Sequence, residues 1–81
     1  MNRLLEDLVL LLIYFTSWSE TISDGTHIHR AWKGYDFDTL DALTEKGYIY
    51  GSKRAKSVYL TEEGVKRAMN LEKRILPKFE E

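Results

Sequence analysis

The chain has 81 residues with a net charge of −1, of which 43% are hydrophobic and 31% charged, and it has no cysteine. A domain this small buries only about 60% of the surface of its unfolded chain, so these values predict one globular domain with a modest core and disfavour a deep substrate cavity. The lack of cysteine excludes disulfides, thiolate metal ligands and cysteine nucleophiles, and it makes the reducing cytoplasm the expected compartment.

The charges divide the chain into an acidic first part and a basic later part. Residues 1–29 carry a net charge of −3, whereas residues 30–79 carry eleven basic and seven acidic side chains, a net charge of +4. Domains dedicated to nucleic acid are often more strongly basic than this. The charge distribution therefore permits a nucleic-acid partner without requiring one.

The first predicted element is a helix from Arg3 to Trp18, with Asn2 as its N-cap. Its most apolar stretch, LVLLLIYF at residues 8–15, is much shorter than the ~20 residues of a membrane-spanning helix, so no membrane partner is expected. The helix is apolar on every side, which indicates that other elements or a second copy of the chain surround it. We therefore expect a homodimer through this helix, with the last helix as a further contact. The expected interface residues are Leu8, Leu11, Leu12 and Phe15, which share a stripe with Leu4.

Residues 17–36 give the weakest local signal, because Ser, Thr, Asp and Gly interrupt them. The pattern indicates at most one short helix, near HIHRAW at residues 27–32. A strand there would instead place His27 and His29 on one side, near Asp24. Two histidines without a third clear ligand rarely form a metal site, so no metal is expected.

Four aromatic side chains lie in and around this segment: Trp18, Trp32, Tyr35 and Phe37. We expect them to complete the small core. The alternatives are an anchor for a partner protein and a small-ligand pocket between the subunits of a dimer.

A second helix is predicted from Phe37 to Lys46, where Asp36 is a good N-cap and Gly47 suits a left-handed C-cap. At 100° per residue, one face of this helix is apolar and the opposite face is acidic. The inward residues are Phe37, Leu40 and Leu43, and the exposed acidic stripe is Asp38, Asp41 and Glu45.

Two short strands, YIY at residues 48–50 and SVYL at residues 57–60, are predicted to form a hairpin around the turn GSKRAK. Thr61 is the expected N-cap of a final helix from Glu62 to Leu76, which Pro77 ends. The strands are expected to point Ile49, Val58 and Leu60 inward. The final helix is expected to bury Val65, Ala68, Met69, Leu71, Ile75 and Leu76 and to expose Lys66, Arg67, Asn70, Lys73 and Arg74.

The order helix, hairpin, helix is carried by LDALTEKGYIY at residues 40–50 and KSVYLTEEGVKRA at residues 56–68. It resembles winged helix-turn-helix regulators of the MarR-like and PadR-like kind, over roughly residues 37–69. The resemblance implies an α+β domain, mainly α, with a small antiparallel β-hairpin. Residues 37–46 would be the recognition helix, residues 48–60 the wing and residues 62–76 a dimerisation helix. The segment before residue 37 lacks the apolar periodicity of the usual supporting helix, so an abbreviated helix-turn-helix is expected.

The resemblance implies a DNA-binding transcription regulator or accessory factor that binds double-stranded DNA and carries no cofactor. Its wing tip, formed by Lys53, Arg54 and Lys56, is expected to contact phosphates. On the recognition helix only Thr39 and Lys46 would assist, and the acidic stripe there would repel DNA, so this helix is expected to contribute little.

The competing interpretation is a protein-interaction module in which the acidic stripe, Asp38, Asp41 and Glu45, meets a basic partner. The tip bases can also serve only to protect a hairpin edge. Tyr48, Tyr50 and Tyr59 either stack on bases or form ordinary cross-strand pairs, the latter being the expectation. No catalytic triad and no glycine-rich phosphate loop is legible, so an enzyme is not expected. The basic face of the last helix, Lys66, Arg67, Lys73 and Arg74, is expected to be solvated.

Overall fold

Three helices and four strands make up residues 3–52 and 54–76, the part of the chain that the computed structural model describes. In chain order they are α1 (Arg3–Phe15), β1 (Trp18–Thr21), β2 (His27–Trp32), α2 (Phe37–Glu45), β3 (Ile49–Tyr50), β4 (Ser57–Leu60) and α3 (Glu62–Ile75). Three predicted features lie outside the described residues: the cap at Asn2, the tip residue Lys53 and the helix stop at Pro77.

Helix α1 ends at Phe15, three residues earlier than predicted. The hydroxyl of Thr16 donates to the Leu12 carbonyl at 2.7 Å, and the hydroxyl of Ser17 donates to the Tyr14 carbonyl at 2.6 Å. These side chains satisfy carbonyls that the helix end leaves without partners, so the chain can leave the helix here and enter β1. No helix within the described residues is long and apolar enough to cross a membrane.

The segment HIHRAW is strand β2, so the short helix predicted there is wrong. It forms an antiparallel hairpin with β1, around a turn in which Gly25 has a φ of 89° and Thr26 donates its backbone N–H to Asp24 at 2.8 Å. The other edge of β2 pairs with β4, in the register Ala31 opposite Val58. Pairing with a strand far along the chain overrides a local pattern that favoured neither state clearly.

The four strands form one antiparallel sheet in the order β1-β2-β4-β3, larger than the single hairpin expected. Side chains alternate between its two faces. The inner face contributes buried residues to the core, and all three helices pack on that side. The sheet residues in the core are Ala31, Ile49, Val58 and Leu60, which confirms the inward positions predicted for the hairpin.

Helix α2 begins as predicted and ends one residue early. Asp36 caps it by accepting the Thr39 N–H at 3.1 Å, and Gly47 follows it with a φ of 80°. Leu40 and Leu43 are buried, but Phe37 is 78% exposed, so its predicted place in the core is wrong. Phe37 occupies the first helical position, ahead of the turns that reach the core.

Helix α3 begins after Thr61, whose side-chain oxygen accepts the Gly64 N–H at 2.9 Å, and ends at Ile75, one residue before the predicted end. Ala68 and Leu71 are buried as predicted, whereas Met69 is 45% exposed. Arg67 was expected to point outward, but it is partly buried against α1 because Asp7 there provides a carboxylate for it, with an Nη2–Oδ1 distance of 3.2 Å.

The arrangement is a small α+β, winged-helix-like domain in which about half of the residues are helical. Strand β2, helix α2 and the hairpin β3-β4 follow the wing pattern, with β2 pairing to the second hairpin strand. Only residues 33–36 separate β2 from α2, and helix α1, which comes earlier in the chain, packs against α2. The hairpin β1-β2 occupies the part of the chain directly before α2, and the abbreviated helix-turn-helix stays a prediction.

Candidate nucleic-acid interface

The hairpin β3-β4 carries an exposed basic tip. Its turn is held by backbone N–H groups of Arg54 and Ala55, which donate to the side chain and the carbonyl of Ser52 at 3.2 and 3.1 Å. The side chains of Arg54 and Lys56 are exposed, and within residues 3–52 and 54–76 neither forms an ion pair with a carboxylate. These two cations are therefore accessible to an anionic partner.

Lys33 is a third basic residue at this end of the sheet, which the sequence analysis did not identify. Its ammonium group donates to the Ser52 carbonyl at 2.9 Å, and its backbone N–H donates to the Lys56 carbonyl at 3.0 Å. In the sequence, only the position of Lys33 directly after β2 could have indicated this role. That position is informative only when β2 is known to pair with β4.

The two residues that were expected to assist on α2 are engaged elsewhere. Thr39 is 5% exposed, and its hydroxyl donates to the Asp36 carboxylate at 3.0 Å, so it completes the helix cap. The ammonium group of Lys46 forms an ion pair with Glu6 of α1. Thr39 is therefore too buried to reach a DNA groove, whereas a DNA contact of Lys46, whose side chain is 47% exposed, stays a prediction. The acidic stripe, Asp38, Asp41 and Glu45, is exposed along its whole length, as predicted.

An apolar groove of about 350 Å³ lies between α2 and the hairpin. Its lining includes the exposed residue Phe37 and the buried residues Leu40 and Ile49, and Asp41 adds a carboxylate. Phe37 therefore borders a concave surface, whereas the core role predicted for this residue would have placed its ring inside the protein.

The outer face of the sheet, on the side away from the helices, carries a cluster of aromatic rings. Tyr50 and Tyr59 stack with centroids 5.2 Å apart, and Trp18 and Trp32 meet at 5.3 Å. The guanidinium carbon of Arg30 lies 5.1 Å from the centroid of Tyr59. Trp32 is 65% exposed and Tyr50 44%, so the expectation that Trp32 completes the core is wrong.

Two other aromatic residues named in the sequence analysis lie on the core side. Tyr48 is half-buried against the core, and its carbonyl accepts the Thr61 N–H at 3.0 Å. Tyr35 also packs on the core, as expected. Of the three tyrosines named for base stacking, only Tyr50 and Tyr59 therefore lie on the outer face.

Polar side chains hold the outer face in one arrangement. The Trp18 indole N–H and the Arg30 guanidinium both donate to a Glu20 carboxylate oxygen, at 3.0 and 3.2 Å, and the Nε of Arg30 donates to the Ser57 hydroxyl at 2.7 Å. The indole bond of Trp18, followed by the bond and charge of Arg30, lowers the pKa of Glu20 below its ordinary value. Hydrogen bonds from Thr26 likewise lower the pKa of Asp24. The carboxylate of Glu20 thus orients both a cation and a ring.

Helix α1 exposes an apolar stripe at helical spacing. Leu4, Leu8, Leu12 and Phe15 are between 41% and 60% exposed, whereas Leu11 is buried in the core of the same chain. Three of the four residues predicted for a dimer interface are therefore available for one, and the inclusion of Leu11 is wrong.

The remaining candidate residues lie on α3 and on β2. On α3, Lys66 lies 4.0 Å from Glu63, and Lys73 and Arg74 are exposed in the last turn. His27 and His29 share a strand, each with a ring nitrogen near a hydroxyl, of Thr21 and Ser17 respectively. Among the described residues no group of three or more side chains is placed to hold a metal ion.

Comparison with known proteins identifies relatives by sequence. The family model described as Domain of unknown function (DUF6429) matches residues 1–78. The chain is also similar to "Uncharacterized protein y4hR" of Sinorhizobium fredii (strain NBRC 101917 / NGR234), with 36% identity over 72 residues, which are 88% of this chain and 86% of that protein. No solved structure matches. Neither description names an activity.

Proposed function

We propose that this chain, which belongs to the DUF6429 family, is a non-catalytic DNA-binding domain of the cytoplasm that acts as a regulator or accessory factor. The observation that carries the proposal is the exposed tip of the hairpin β3-β4, where Arg54 and Lys56 have no carboxylate partner among the described residues. Lys33 is tied to the same turn and adds a positive charge. Projecting cations of this kind suit the phosphates beside a groove of double-stranded DNA.

The tip, rather than α2, makes the contacts in this proposal. The exposed face of α2 presents Asp38, Asp41 and Glu45, and carboxylates placed between two rows of phosphates repel the duplex. The two α2 residues expected to assist form other contacts, Thr39 with the helix cap and Lys46 with α1. Binding through the tip alone positions a protein on DNA but reads little sequence. We therefore favour an accessory role over a sequence-reading one.

We also propose a homodimer through α1, which would carry two tips. The exposed stripe, Leu4, Leu8, Leu12 and Phe15, supports this, because a soluble monomer rarely leaves so continuous an apolar row in water. Light scattering after size exclusion should give twice the chain mass of 9.5 kDa. The double variant Leu8→Glu/Leu12→Glu should give the single mass. A monomeric wild type would refute the dimer and leave the tip proposal standing.

The proposal is tested by titrating a labelled mixed-sequence duplex and following fluorescence anisotropy at low and physiological salt. The wild type should bind, and its affinity should fall steeply with salt, by about 0.9 in the slope of log K against log salt for each phosphate contacted. Arg54→Glu/Lys56→Glu should abolish binding. The matched control is Lys73→Glu/Arg74→Glu, which makes the same change in charge on α3 and should retain most of the affinity.

Equal losses in the two double variants would show that only net charge matters and would refute a contact surface at the tip. No binding of the wild type at low salt would refute the proposed function itself.

The groove beside α2 favours a second candidate, a protein-interaction module. Its lining combines the exposed ring of Phe37 with the carboxylate of Asp41, a combination that suits an amphipathic segment with basic residues. A labelled Lys/Leu amphipathic peptide serves as the probe. Under this alternative, Asp38→Lys/Asp41→Lys should reduce binding of the peptide, and Arg54→Glu/Lys56→Glu should leave it unchanged.

A further inference from the structure

We propose that the outer face of the sheet binds single-stranded nucleic acid by stacking bases on Trp32 and Tyr50. This surface is distinct from the tip, and the inference goes beyond duplex binding. It relies on the proposed function only in using the basic tip for phosphate contacts.

The two rings are exposed, and each stands beside a neighbour that supports it. Trp32 is 65% exposed and lies opposite Ser57, a small residue. Its other neighbour is Trp18, at 5.3 Å. Tyr50 is 44% exposed and is stacked on Tyr59. Supported, outward rings of this kind lose little freedom when a base stacks on them.

The positions in the sheet separate the two rings enough for two bases. Trp32 is in β2 and Tyr50 in β3, with β4 between them. Their partners in β4, Ser57 and Tyr59, are two residues apart. Strand spacing and rise then put the two Cα atoms about 12 Å apart. The rings can therefore hold different bases of one strand.

The charge around this face suits a polyanion that presents flat rings. Arg30 lies near the middle of the face, over the ring of Tyr59, and is held there by Glu20 and Ser57. Lys33 directly follows Trp32, the last residue of β2. It is hydrogen-bonded to the hairpin tip, which also carries Arg54 and Lys56. Aromatic rings beside a basic edge are the combination by which proteins bind single strands without a sequence requirement.

Cross-strand packing alone explains the Tyr50–Tyr59 pair but explains Trp32 poorly. A tryptophan that served packing would be covered, whereas Trp32 is 65% exposed and the three helices of residues 3–52 and 54–76 pack on the other side of the sheet. A duplex cannot use the ring either, because its bases are already stacked. The occupant that fits is an unpaired strand.

Intrinsic fluorescence provides a direct test, because the chain has two tryptophans and both lie on this face. Oligothymidine and oligouridine of about twelve nucleotides, the scale of one small-domain site, are the probes. A duplex of the same length is the comparison. We expect both single strands to quench the tryptophan emission and the duplex to quench it much less, and the two oligomers decide between DNA and RNA as the preferred source.

Variants then separate stacking from charge, with anisotropy of a labelled oligomer as the measurement. Trp32→Ala and Tyr50→Ala should each weaken single-strand binding about ten-fold, while Trp32→Phe keeps most of the affinity. The matched control is Phe37→Ala, which removes a ring that is 78% exposed on the helix side of the sheet. Circular dichroism and thermal unfolding verify that each variant is folded.

The inference is overturned if single strands leave the emission unchanged, if the duplex quenches it equally, or if Trp32→Ala and Tyr50→Ala bind single strands as tightly as Phe37→Ala does. It fails separately from the proposed function. Loss of duplex binding in Arg54→Glu/Lys56→Glu, with unchanged single-strand binding in the ring variants, would support DNA binding at the tip and reject base stacking on the outer face. Ring-dependent binding of single strands by a protein that binds no duplex would do the reverse.

Discussion

Replacing Gly64 by alanine should destabilise the protein, against the usual effect of that substitution in a helix. Gly64 is in the first turn of α3, where the helix crosses the backbone of the residue before β3. A Cβ built on Gly64 lies 1.9 Å from the carbonyl oxygen of Tyr48 and 2.8 Å from its carbonyl carbon. Backbone atoms cannot rotate away as a flexible side chain can, so the helix and the strand would have to separate.

The size of the effect follows from two opposing terms. Alanine favours a helix by about 1 kcal/mol over glycine. Against this, the methyl group and the Tyr48 oxygen would have to move about 1.5 Å apart to reach ordinary contact, and overpacking of this kind costs about 1–3 kcal/mol or more. The same movement strains two hydrogen bonds of Thr61, one to the Tyr48 carbonyl and one from Gly64, each worth about 1 kcal/mol. We expect a net loss of about 2–4 kcal/mol.

The assay is thermal and urea unfolding followed by far-UV circular dichroism. A domain of this size has about 4–12 kcal/mol of total stability, and the expected loss corresponds to a fall of at least about 10 °C in Tm. The matched control is Asn70→Ala, at an exposed position of the same helix, which should raise stability by about 0.5 kcal/mol or leave it unchanged. A Tm for Gly64→Ala at or above that of the wild type would refute the close approach of α3 to Tyr48.

Three further perturbations test other contacts. Gly47 has a φ of 80° with open space around it, so Gly47→Ala should cost about 1 kcal/mol in urea unfolding and Gly47→Asn less, and equal stability of all three proteins would contradict the left-handed cap. Asp7→Asn should cost about 1 kcal/mol by weakening the pair with Arg67, and a double-mutant cycle with Arg67→Met should show coupling between the two sites. The pKa of Glu20 is lowered in the folded protein, chiefly by the indole of Trp18. Its contribution to stability is therefore complete above the unfolded pKa and disappears as the pH falls through the folded pKa. Tryptophan emission should change over that acidic range in the wild type, and a change of the same size in Glu20→Gln would reject the assignment.

The sequence was sufficient where structure depends on neighbouring residues. Asp36 and Thr61 cap their helices, and Gly47 takes the left-handed conformation, because each of these groups interacts within a few residues of itself. The hairpin β3-β4 and its inward residues were predicted for the same reason, since a basic turn joins two short runs of β-forming residues. These local features were enough to predict the α+β class.

Contacts between distant residues account for most of the errors. The segment HIHRAW is a strand because β4, about 27 residues later, offers it an edge. Arg67 is drawn inward by Asp7, 60 residues away, and Lys46 is paired with Glu6, 40 residues away. No spacing within the sequence indicates such pairs. Side chains that periodicity places in solvent can therefore form ion pairs with distant residues.

The candidate site also combines features that the sequence predicts with features that only the fold creates. The sequence by itself determined the basic tip and the acidic stripe of α2, because exposure of charged residues on a turn and on one helix face follows from local geometry. Only the tertiary structure decided that Trp18, Trp32, Tyr50 and Tyr59 share one uncovered face around Arg30, and that Lys33 joins the tip. The physical reason is that the register between strands places side chains together, and this register depends on hydrogen bonds between backbone segments that lie far apart along the chain.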